Sequence, residues 1–428
     1  MSNTAIKSIT ARQLIDCKCR PMLEVDVVTE GGALGRGSSP TGSSVGSHES
    51  FILRDHNPAE YDGMSVHKAV HVVEATIAPA LRGMDILDQA ALDRRMLELD
   101  STPEKSVLGG NSIYSVSIAC ARAAAAAQGV PLYLRFAADR GGLKHIPIPT
   151  FNVVNGGRYH THTMPFNEFI LAPYKAGSIE LAVEIAVKVF KRLGILIERY
   201  QKGVPAGIGN SFGHMAPCED PAEILGLLWQ AAMDCGYQDN IALALDCASS
   251  EMYDSKDRTY LLKGKRVTND ELISYVQQLT LQFPLLFVED LLDEDDWDGF
   301  VKAKQLLQST NIIGDDFIVT NVNRLRKAYE MNAVDGFILK PNQVGTISEG
   351  LDTFDFAERH DLLAIPSGRS GGVVGDVVMD FAVGLNVKLL KNGAPRSGER
   401  IDKLNFLLRV ADKHPELHLF DGSSLSKF

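Results

Sequence analysis

Four runs of apolar residues in the second half of the chain each end on a charged residue. These end positions are Asp246, Glu289, Asp315 and Lys340. In a parallel barrel the carboxyl ends of the strands open onto one face, where active sites are built. Three carboxylates on that face would form a pocket for a hard cation, and Mg²⁺ prefers such oxygen ligands. A lysine one strand further round is a candidate base, so the pattern indicates an enzyme.

The elements that would position these residues alternate between strand and helix. The alternation begins after Pro149, and the first two strands, at Phe151 and Glu168, are suited to pair as a hairpin. This pattern predicts an α/β fold with a barrel of about 250 residues. The helices predicted in this part cover residues 178–201, 271–283, 321–331, 347–360, 373–386 and 400–413.

The part of the chain before the barrel has a different pattern. Residues 22–28 alternate apolar and polar side chains, as a half-buried strand does, and helices are predicted at 66–82 and 111–128. The loop 37–46 is rich in glycine and serine and could close over a phosphate or complete a metal shell. We therefore predict an α+β domain over residues 1–145 and a barrel domain over residues 146–428.

Composition limits the partners and the compartment. The chain has 428 residues, 45% of them hydrophobic, and a formal net charge of −11. This charge argues against nucleic acid or an anionic membrane as the main partner, but an anionic substrate depends on local charge. The six cysteines are scattered, which is typical of reduced thiols, and no apolar run approaches the length of a membrane span. We expect no membrane partner and a cytoplasmic location.

Several short motifs follow one another along the chain. They are Ser44-x-Gly46-x-His-Glu49, Phe151-Asn-Val-x-Asn-Gly-Gly157, Leu245-Asp-Cys-Ala-Ser-Ser-Glu251, Val288-Glu-Asp290, Gly314-Asp-Asp316, Val319-Thr-Asn321, Leu339-Lys-x-Asn-Gln-x-Gly-Thr346 and Lys391-x-Gly-Ala-Pro395. These motifs resemble those of the enolase (phosphopyruvate hydratase) family. The resemblance extends along essentially the whole chain and implies an N-terminal α+β capping domain on a modified eight-stranded α/β (TIM) barrel whose first strands run antiparallel.

The resemblance implies roles for the residues that match the family motifs. Lys340 corresponds to the base that removes the C2 proton, and Lys391 to the lysine that stabilises the developing charge. Two Mg²⁺ ions are implied for each site. Arg369 and Ser370 correspond to the pair that binds the phosphate. The implied metal ligands are Asp246, Glu289 and Asp315 for the first Mg²⁺ and Ser44 for the second.

The chain departs from the family pattern near the hydroxyl that leaves the substrate. Aligned on Ala216, Phe212 replaces the glutamate that is the usual general acid, and Gly368 replaces an active-site histidine. Tyr159 replaces a second histidine, whereas Glu168 is retained. Losing a positioned general acid typically costs about 10²–10⁴-fold in rate. The sequence thus predicts that proton abstraction is retained, that dehydration is weakened, and that Gly368 leaves room for a larger substrate.

Three histidines near these positions are absent from the family pattern, namely His160, His162 and His214. One of them could replace the acid or contact an additional anionic group, and the alternative is a structural role. Glu24 and Arg409 match a pair that bridges subunits in the enolase dimer, and could equally form a surface ion pair. The resemblance implies a homodimer or higher homo-oligomer.

Three functional interpretations remain open. The first is a divergent Mg²⁺-dependent lyase that acts on a phospho- or phosphono-carboxylate like 2-phosphoglycerate or phosphoenolpyruvate, such as a carboxyphosphonoenolpyruvate synthase of phosphonate biosynthesis. Lys340 would abstract or return the C2 proton through a stabilised enolate. The second is an ordinary enolase of glycolysis, with Glu168 or a new histidine as the acid. The third is a catalytically silent binding protein, which has no need for a buried cluster of charges.

Overall fold

The computed structural model describes residues 2–40, 42, 46–159 and 162–428. Its N-terminal part is an antiparallel sheet of three strands in the order β1-β2-β3, covered by helices. The elements are β1 (Ile6–Ile15), β2 (Pro21–Thr29), β3 (Leu34–Ser39), α1 (His67–Val72), α2 (Ala78–Leu81), α3 (Gln89–Leu99), α4 (Gly110–Ala127) and α5 (Leu132–Ala138), with a π-helical turn at Val73–Ile77 joining α1 to α2.

Helix α4 packs directly on this sheet because the sheet presents glycine to it. A Cβ atom at Gly35 would lie 2.0 Å from the carbonyl oxygen of Ala119, and one at Gly37 would lie 2.2 Å from that of Ser115. Neither distance is possible for real atoms, so only glycine permits this approach. The alanine-rich sequence of α4 completes the close contact from the helix side.

The C-terminal part alternates strand and helix, as predicted. Its strands are β4 (Ile148–Arg158), β5 (Thr163–Ala172), β6 (His214–Met215), β7 (Ala242–Asp246), β8 (Tyr253–Asp254), β9 (Thr259–Leu262), β10 (Lys265–Val267), β11 (Leu285–Glu289), β12 (Asn311–Gly314), β13 (Gly336–Leu339), β14 (Leu363–Pro366) and β15 (Leu389–Lys391). Its helices are α6 (Ile179–Tyr200), α7 (Pro221–Asp234), α8 (Asn269–Gln282), α9 (Trp297–Leu306), α10 (Val322–Glu330), α11 (Pro341–Val344), α12 (Ile347–Arg359), α13 (Val378–Gly384) and α14 (Gly398–Lys413).

Eight of these strands form a closed barrel. Their order is β14-β13-β12-β11-β7-β5-β4-β15, and a parallel bridge between Ser367 and Lys391 joins the two ends. Strand β5 runs antiparallel to both β4 and β7, whereas the other neighbours are parallel. The predicted modified α/β barrel and the predicted hairpin of the first two strands are therefore confirmed.

Polar side chains fix where many of the helices begin. Each accepts a hydrogen bond from a backbone N–H of the first helical turn, a group that has no partner within the helix. The capping residues are Asp88, Ser178, Asp220, Thr268, Asp296, Asn321 and Thr346.

Helix α13 is shorter than the predicted 373–386, because Gly375 adopts a φ of +72° just before the helix.

Buried apolar side chains form two clusters. One contains residues between Ile6 and Ala124, and the larger one contains residues between Tyr114 and Leu425. Helix α4 contributes to both clusters, so it lies between the two layers. The predicted boundary at residue 145 stays a prediction. The six cysteines form no disulfide, and none of the described helices is long and apolar enough to cross a membrane.

Asp93 joins the N-terminal part to the barrel. Its carboxylate accepts hydrogen bonds from the backbone N–H and the hydroxyl of Ser348 in the barrel, at 3.0 and 2.6 Å. The hydroxyl of Ser117 and the amide of Gln89 donate to its other oxygen at 2.7 and 3.0 Å. Burial raises the pKa of Asp93 to about 6, although these hydrogen bonds act in the opposite direction.

This raised pKa predicts how Asp93 contributes to stability. Because the folded state holds the proton more tightly than the unfolded state, the contribution of Asp93 should fall as pH rises from about 4 to about 6. The total change is about 3 kcal/mol. Denaturant unfolding of the wild type and of Asp93→Asn at several pH values should show their stability difference changing across that window. A difference that stays constant with pH would contradict this account.

Candidate active site

The barrel register aligns three acidic side chains on adjacent strands. Glu168 of β5 pairs with Asp246 of β7, and Asp246 pairs with Glu289 of β11. Residues paired across neighbouring strands project to the same side, so the three carboxylates face the same region. Asp315 follows the end of β12, the next strand round. All the strand-end acids predicted from the sequence are thus brought together.

Two lysines lie among these acids. The ammonium group of Lys391 contacts oxygens of Glu289, Glu168 and Asp246 at 2.6, 3.1 and 3.3 Å. The ammonium group of Lys340 forms an ion pair with Asp315. The lysine predicted as the base and the lysine predicted to stabilise charge therefore meet at one cluster.

Local structure holds Lys340 and Asp315 in place. The backbone N–H of Lys340 donates to the hydroxyl of Thr320 at 2.8 Å, and Pro341 begins helix α11 directly after it. Gln343 of that helix accepts from the same Thr320 hydroxyl at 2.8 Å and donates to Asp315 at 2.9 Å. The turn after β13 therefore positions the base and its acidic neighbour together.

Burial raises the pKa of Asp246 and of Glu289. It raises the pKa of Asp246 to about 6, with Glu168 and Asp315 adding to the effect and Lys391 opposing it. It raises the pKa of Glu289 well above its ordinary value, with Asp246 adding to the effect. Burial also acts to raise the pKa of Asp315, but Lys340 and Lys391 outweigh it and the pKa is lowered. The cluster therefore has more buried negative charge than its lysines neutralise.

This donor set fits a hard divalent cation. Asp246, Glu289 and Asp315 supply carboxylate oxygens alone, which suits Mg²⁺, and a cation would relieve the repulsion that raises two of their pKa values. Oxygens of Asp290, Asp315 and Asp316 lie within 4.8 Å of one another. Asp290, however, accepts the backbone N–H groups of Asp315 and Asp316, each at 2.8 Å. We therefore assign Asp290 to holding the loop and keep the first set as candidate ligands.

The pKa of Lys340 differs from the expectation. We expected burial and neighbouring cations to lower it, so that the amine could act as a base. Burial, Arg369 and Lys391 do act in that direction, but the ion pair with Asp315 outweighs them and the pKa is raised. A cation that took up the charge of Asp315 would remove the main cause of this rise.

Arg369 and Ser370 also line this cavity, which has a volume of about 470 Å³. The buried Arg369 donates to both oxygens of Glu49 at 2.7 and 3.0 Å, so the N-terminal domain holds it in place. The segment beside Glu49 contacts the barrel, with Ser47 donating to Glu294 at 2.7 Å. Ser44 lies outside the described residues.

At the segment that departs from the family pattern, the cavity is lined by Ser211, one residue before Phe212. Asn210 and Ser211 line the cavity, whereas Phe212 does not. Phe212 adopts a left-handed φ of +68°, and its ring lies against the guanidinium of Arg400 with 4.7 Å between ring centre and Cζ. The alignment of Phe212 with the missing acid stays a prediction, but the Phe212 ring itself does not line the cavity. Ser211 is the side chain at the cavity, and a hydroxyl is no carboxylic acid.

Gly368 does not leave the open space that we expected. A Cβ atom at Gly368 would lie 2.7 Å from the ammonium nitrogen of Lys403 and 3.1 Å from an oxygen of Asp376. These two side chains occupy the volume that a larger residue would need. Lys403 itself lines the cavity.

Two of the three histidines can be located. His214 is buried, stacks on Phe190 with 4.2 Å between ring centres, and contacts the carbonyl oxygen of Phe190 at 3.0 Å. Burial lowers its pKa, and it does not line the cavity, so its place is structural and not the predicted site role. His162 stacks on Tyr159 with 5.3 Å between ring centres and does not line the cavity either. His160 lies outside the described residues.

Sequence reasoning missed several polar residues of the cavity. Asn167 donates to Asp246 at 3.2 Å and helps to orient that carboxylate. Arg158 lies next to Tyr159 and had no motif of its own. Arg400 and Lys403 lie on α14, the helix that follows β15, and no spacing rule connects them to the site. The missed cavity residues include Arg158, Asn167, Asn392, Arg400 and Lys403.

The barrel and its cluster of strand-end acids and lysines define an α/β-barrel enzyme. The family model described as "Enolase, C-terminal TIM barrel domain" matches residues 143–428. The family model described as "Enolase, N-terminal domain" matches residues 6–136. The chain belongs to the enolase family, and it is a lyase of the phosphopyruvate hydratase type.

Curated relatives cover nearly the whole chain. The enolases of Methanococcus aeolicus and Methanopyrus kandleri are each 38% identical to it, with 95% of both chains covered. The enolase of Methanocaldococcus jannaschii is 39% identical, with 95% of this chain and 94% of that enolase covered. This similarity supports the family resemblance inferred from the motifs.

Magnesium should stabilise the protein through the acids of the barrel. A ligand that binds only the folded state at a hundred times its Kd adds about 2.7 kcal/mol. Adding Mg²⁺ should therefore raise the Tm of the wild type, and Asp246→Asn should remove most of this rise.

A control is available at a largely exposed cluster of Asp55, Glu60 and His67, whose possible ligand atoms lie within 4.8 Å of one another. Glu60→Gln should retain the full response to Mg²⁺. If Glu60→Gln lost the response and Asp246→Asn kept it, the cation would bind outside the barrel.

Proposed function

We propose that the protein catalyses Mg²⁺-dependent proton transfer at C2 of a small phospho- or phosphono-carboxylate, and that its true substrate differs from 2-phosphoglycerate. The observation that carries this proposal is an asymmetry of the cavity. Lys340 and Lys391 meet the acids of the barrel at one place. The segment 209–213, where the family carries its general acid, contributes Asn210 and Ser211 instead.

Each residue of the cavity has a chemical role in this proposal. Lys340 takes the proton from C2 or returns it. Lys391 is placed beside the substrate carboxylate, where negative charge develops as the proton leaves. Arg369 and Ser370 bind the phosphoryl or phosphonyl group. When bound, Mg²⁺ would supply further stabilisation of that developing charge.

The identity of the reaction is a further part of the proposal. Hydroxide is a poor leaving group and needs a proton donor, which neither Ser211 nor Phe212 provides. We therefore propose a specialised reaction on a larger phospho- or phosphono-carboxylate, such as that of a carboxyphosphonoenolpyruvate synthase of phosphonate biosynthesis, in which the segment 209–213 is not the proton donor. We further propose that the enzyme acts in the cytoplasm as a homodimer, in which Glu24 and Arg409 bridge the subunits.

Ordinary enolase activity is the second candidate. The three archaeal relatives named as enolases, at 38–39% identity, favour it. Glu168 would then be the proton donor, because it lines the cavity beside Lys391. Asn152 donates to Glu168 at 2.6 Å and Asn155 donates to Asn152 at 2.9 Å, so this carboxylate is firmly oriented.

Comparing two rates separates the candidates. With 2-phosphoglycerate and Mg²⁺ in D₂O, NMR should show exchange of the C2 proton, while absorbance at 240 nm should show phosphoenolpyruvate forming about 10²–10⁴-fold more slowly. Lys340→Met should abolish the exchange. Phosphoenolpyruvate formation as fast as exchange would make the protein an ordinary enolase.

Replacing the missing acid tests which residue occupies its position. Because Ser211 lines the cavity and Phe212 does not, Ser211→Glu should raise phosphoenolpyruvate formation by about tenfold or more. Phe212→Glu is the matched control and should give no gain. If only Phe212→Glu raised the rate, the alignment on Ala216 would be correct and the observed loop geometry would not describe the working enzyme.

A further inference from the structure

Lys403 is a buried cation for which no described residue provides a hydrogen bond or an ion pair. It lies on α14 with 3% of its surface exposed and lines the cavity beside Gly368. Among the residues that the structure describes, none forms a hydrogen bond or an ion pair with its ammonium group. Its nitrogen lies 2.7 Å from the point that a Cβ atom of Gly368 would occupy, so it reaches the wall of the cavity.

A buried ammonium is unfavourable unless hydrogen bonds or a counter-charge replace the hydration that it gives up. Burial accordingly lowers the pKa of Lys403, while Asp376 acts to raise it. Asp376 itself has a buried oxygen without a hydrogen-bond partner. The two side chains are therefore close but not paired, and an anion in the cavity would supply what Lys403 lacks.

Two other residues of the cavity also have buried hydrogen-bonding groups for which no described residue is a partner. The Nε of Arg400 is buried without a partner, although its other nitrogens donate to Glu399 and to the carbonyl oxygen of Ser370. Both amide atoms of Asn392 are likewise buried without a partner. Arg400 and Asn392 line the same cavity, and the Nε of Arg400 lies 2.5 Å from the Cβ position of Gly393, the residue after Asn392.

We propose that Lys403, together with Arg400 and Asn392, binds an additional carboxylate of the substrate. The inference rests on the proposed function, in which the phosphoryl group is bound by Arg369 and Ser370 and the C1 carboxylate lies at Lys391. Those contacts account for both anionic groups of a compound like 2-phosphoglycerate. The unpaired donors at Gly368 therefore recognise a third anionic group, and they define a substrate larger than 2-phosphoglycerate.

Two compounds that differ by one carboxylate test this subsite. 2-Phospholactate carries a methyl group where 2-phosphomalate carries a carboxymethyl group, and neither has a hydroxyl that could leave. With Mg²⁺ present, calorimetry should show 2-phosphomalate binding to the wild type about tenfold or more tightly than 2-phospholactate, as expected for charge-assisted hydrogen bonds. Lys403→Met should remove this preference and change the Kd of 2-phospholactate by less than about threefold.

Two further variants separate recognition from structure. Lys413→Met removes an exposed lysine from the same helix and should keep the preference, and Lys403→Arg should keep at least part of it. If Lys403→Met weakened both compounds equally and lowered the Tm, Lys403 would be a structural residue that balances Asp376. That result would overturn the subsite.

The remaining outcomes distinguish this inference from the proposed function. If the wild type binds both compounds equally and exchanges their C2 protons in D₂O through Lys340, the subsite is wrong and the proposed function stands. If neither compound binds or exchanges, both fail together. Tighter binding of 2-phosphomalate that depends on Lys403 supports the subsite.

Discussion

The barrel buries acidic side chains and lysines together, and its strand register and closure keep these charges paired. Glu168, Asp246 and Glu289 lie side by side through strand register, and the ammonium group of Lys391 contacts all three. The backbone of Lys391 bridges to Ser367 and closes the barrel. The residue that closes the fold is therefore also the counter-ion of its most buried charges, and a change in closure would separate those charges.

The N-terminal domain completes this arrangement. Glu49 fixes Arg369 through two hydrogen bonds, so the domain supports the part of the cavity that Arg369 lines. Asp93 ties the same domain to the start of α12 through Ser348. Since these contacts lie at separate places along the interface, the domain is held in one orientation over the barrel. A cap that could rotate would leave the buried Arg369 without its partner.

The sequence predicted those parts of the site that depend on regular structure. Apolar runs that end on a charged residue located Asp246, Glu289, Asp315 and Lys340, because strand ends meet at one face of a barrel. It offers no such guide where irregular backbone decides. The left-handed conformation of Phe212 turns that ring towards Arg400 and leaves Ser211 at the cavity, and a simple alignment carries no record of such a turn.

Residues that reach the site from a distant element were also hidden from sequence reasoning. Helix α14 was predicted, but nothing in its pattern indicated that Lys403 points towards Gly368. His214 shows the opposite error, since its position in the chain suggested the site while its stacking on Phe190 places it in the core. The pKa of Lys340 required the distance to Asp315, which no pattern contains.

Different parts of the fold hold the two ends of the cavity. The end with Lys340, Lys391 and the strand-end acids depends on strand register. Exchanging any one of these residues would leave a buried charge without its partner. The end at Ser211 and Gly368 depends on a loop and on one helix, and strand register does not fix it. The proposed chemistry at C2 consequently depends on residues whose positions the strands fix. Recognition of the rest of the substrate would depend on the loop and the helix, and Lys403, for which no described residue provides an ion pair, lies at that end.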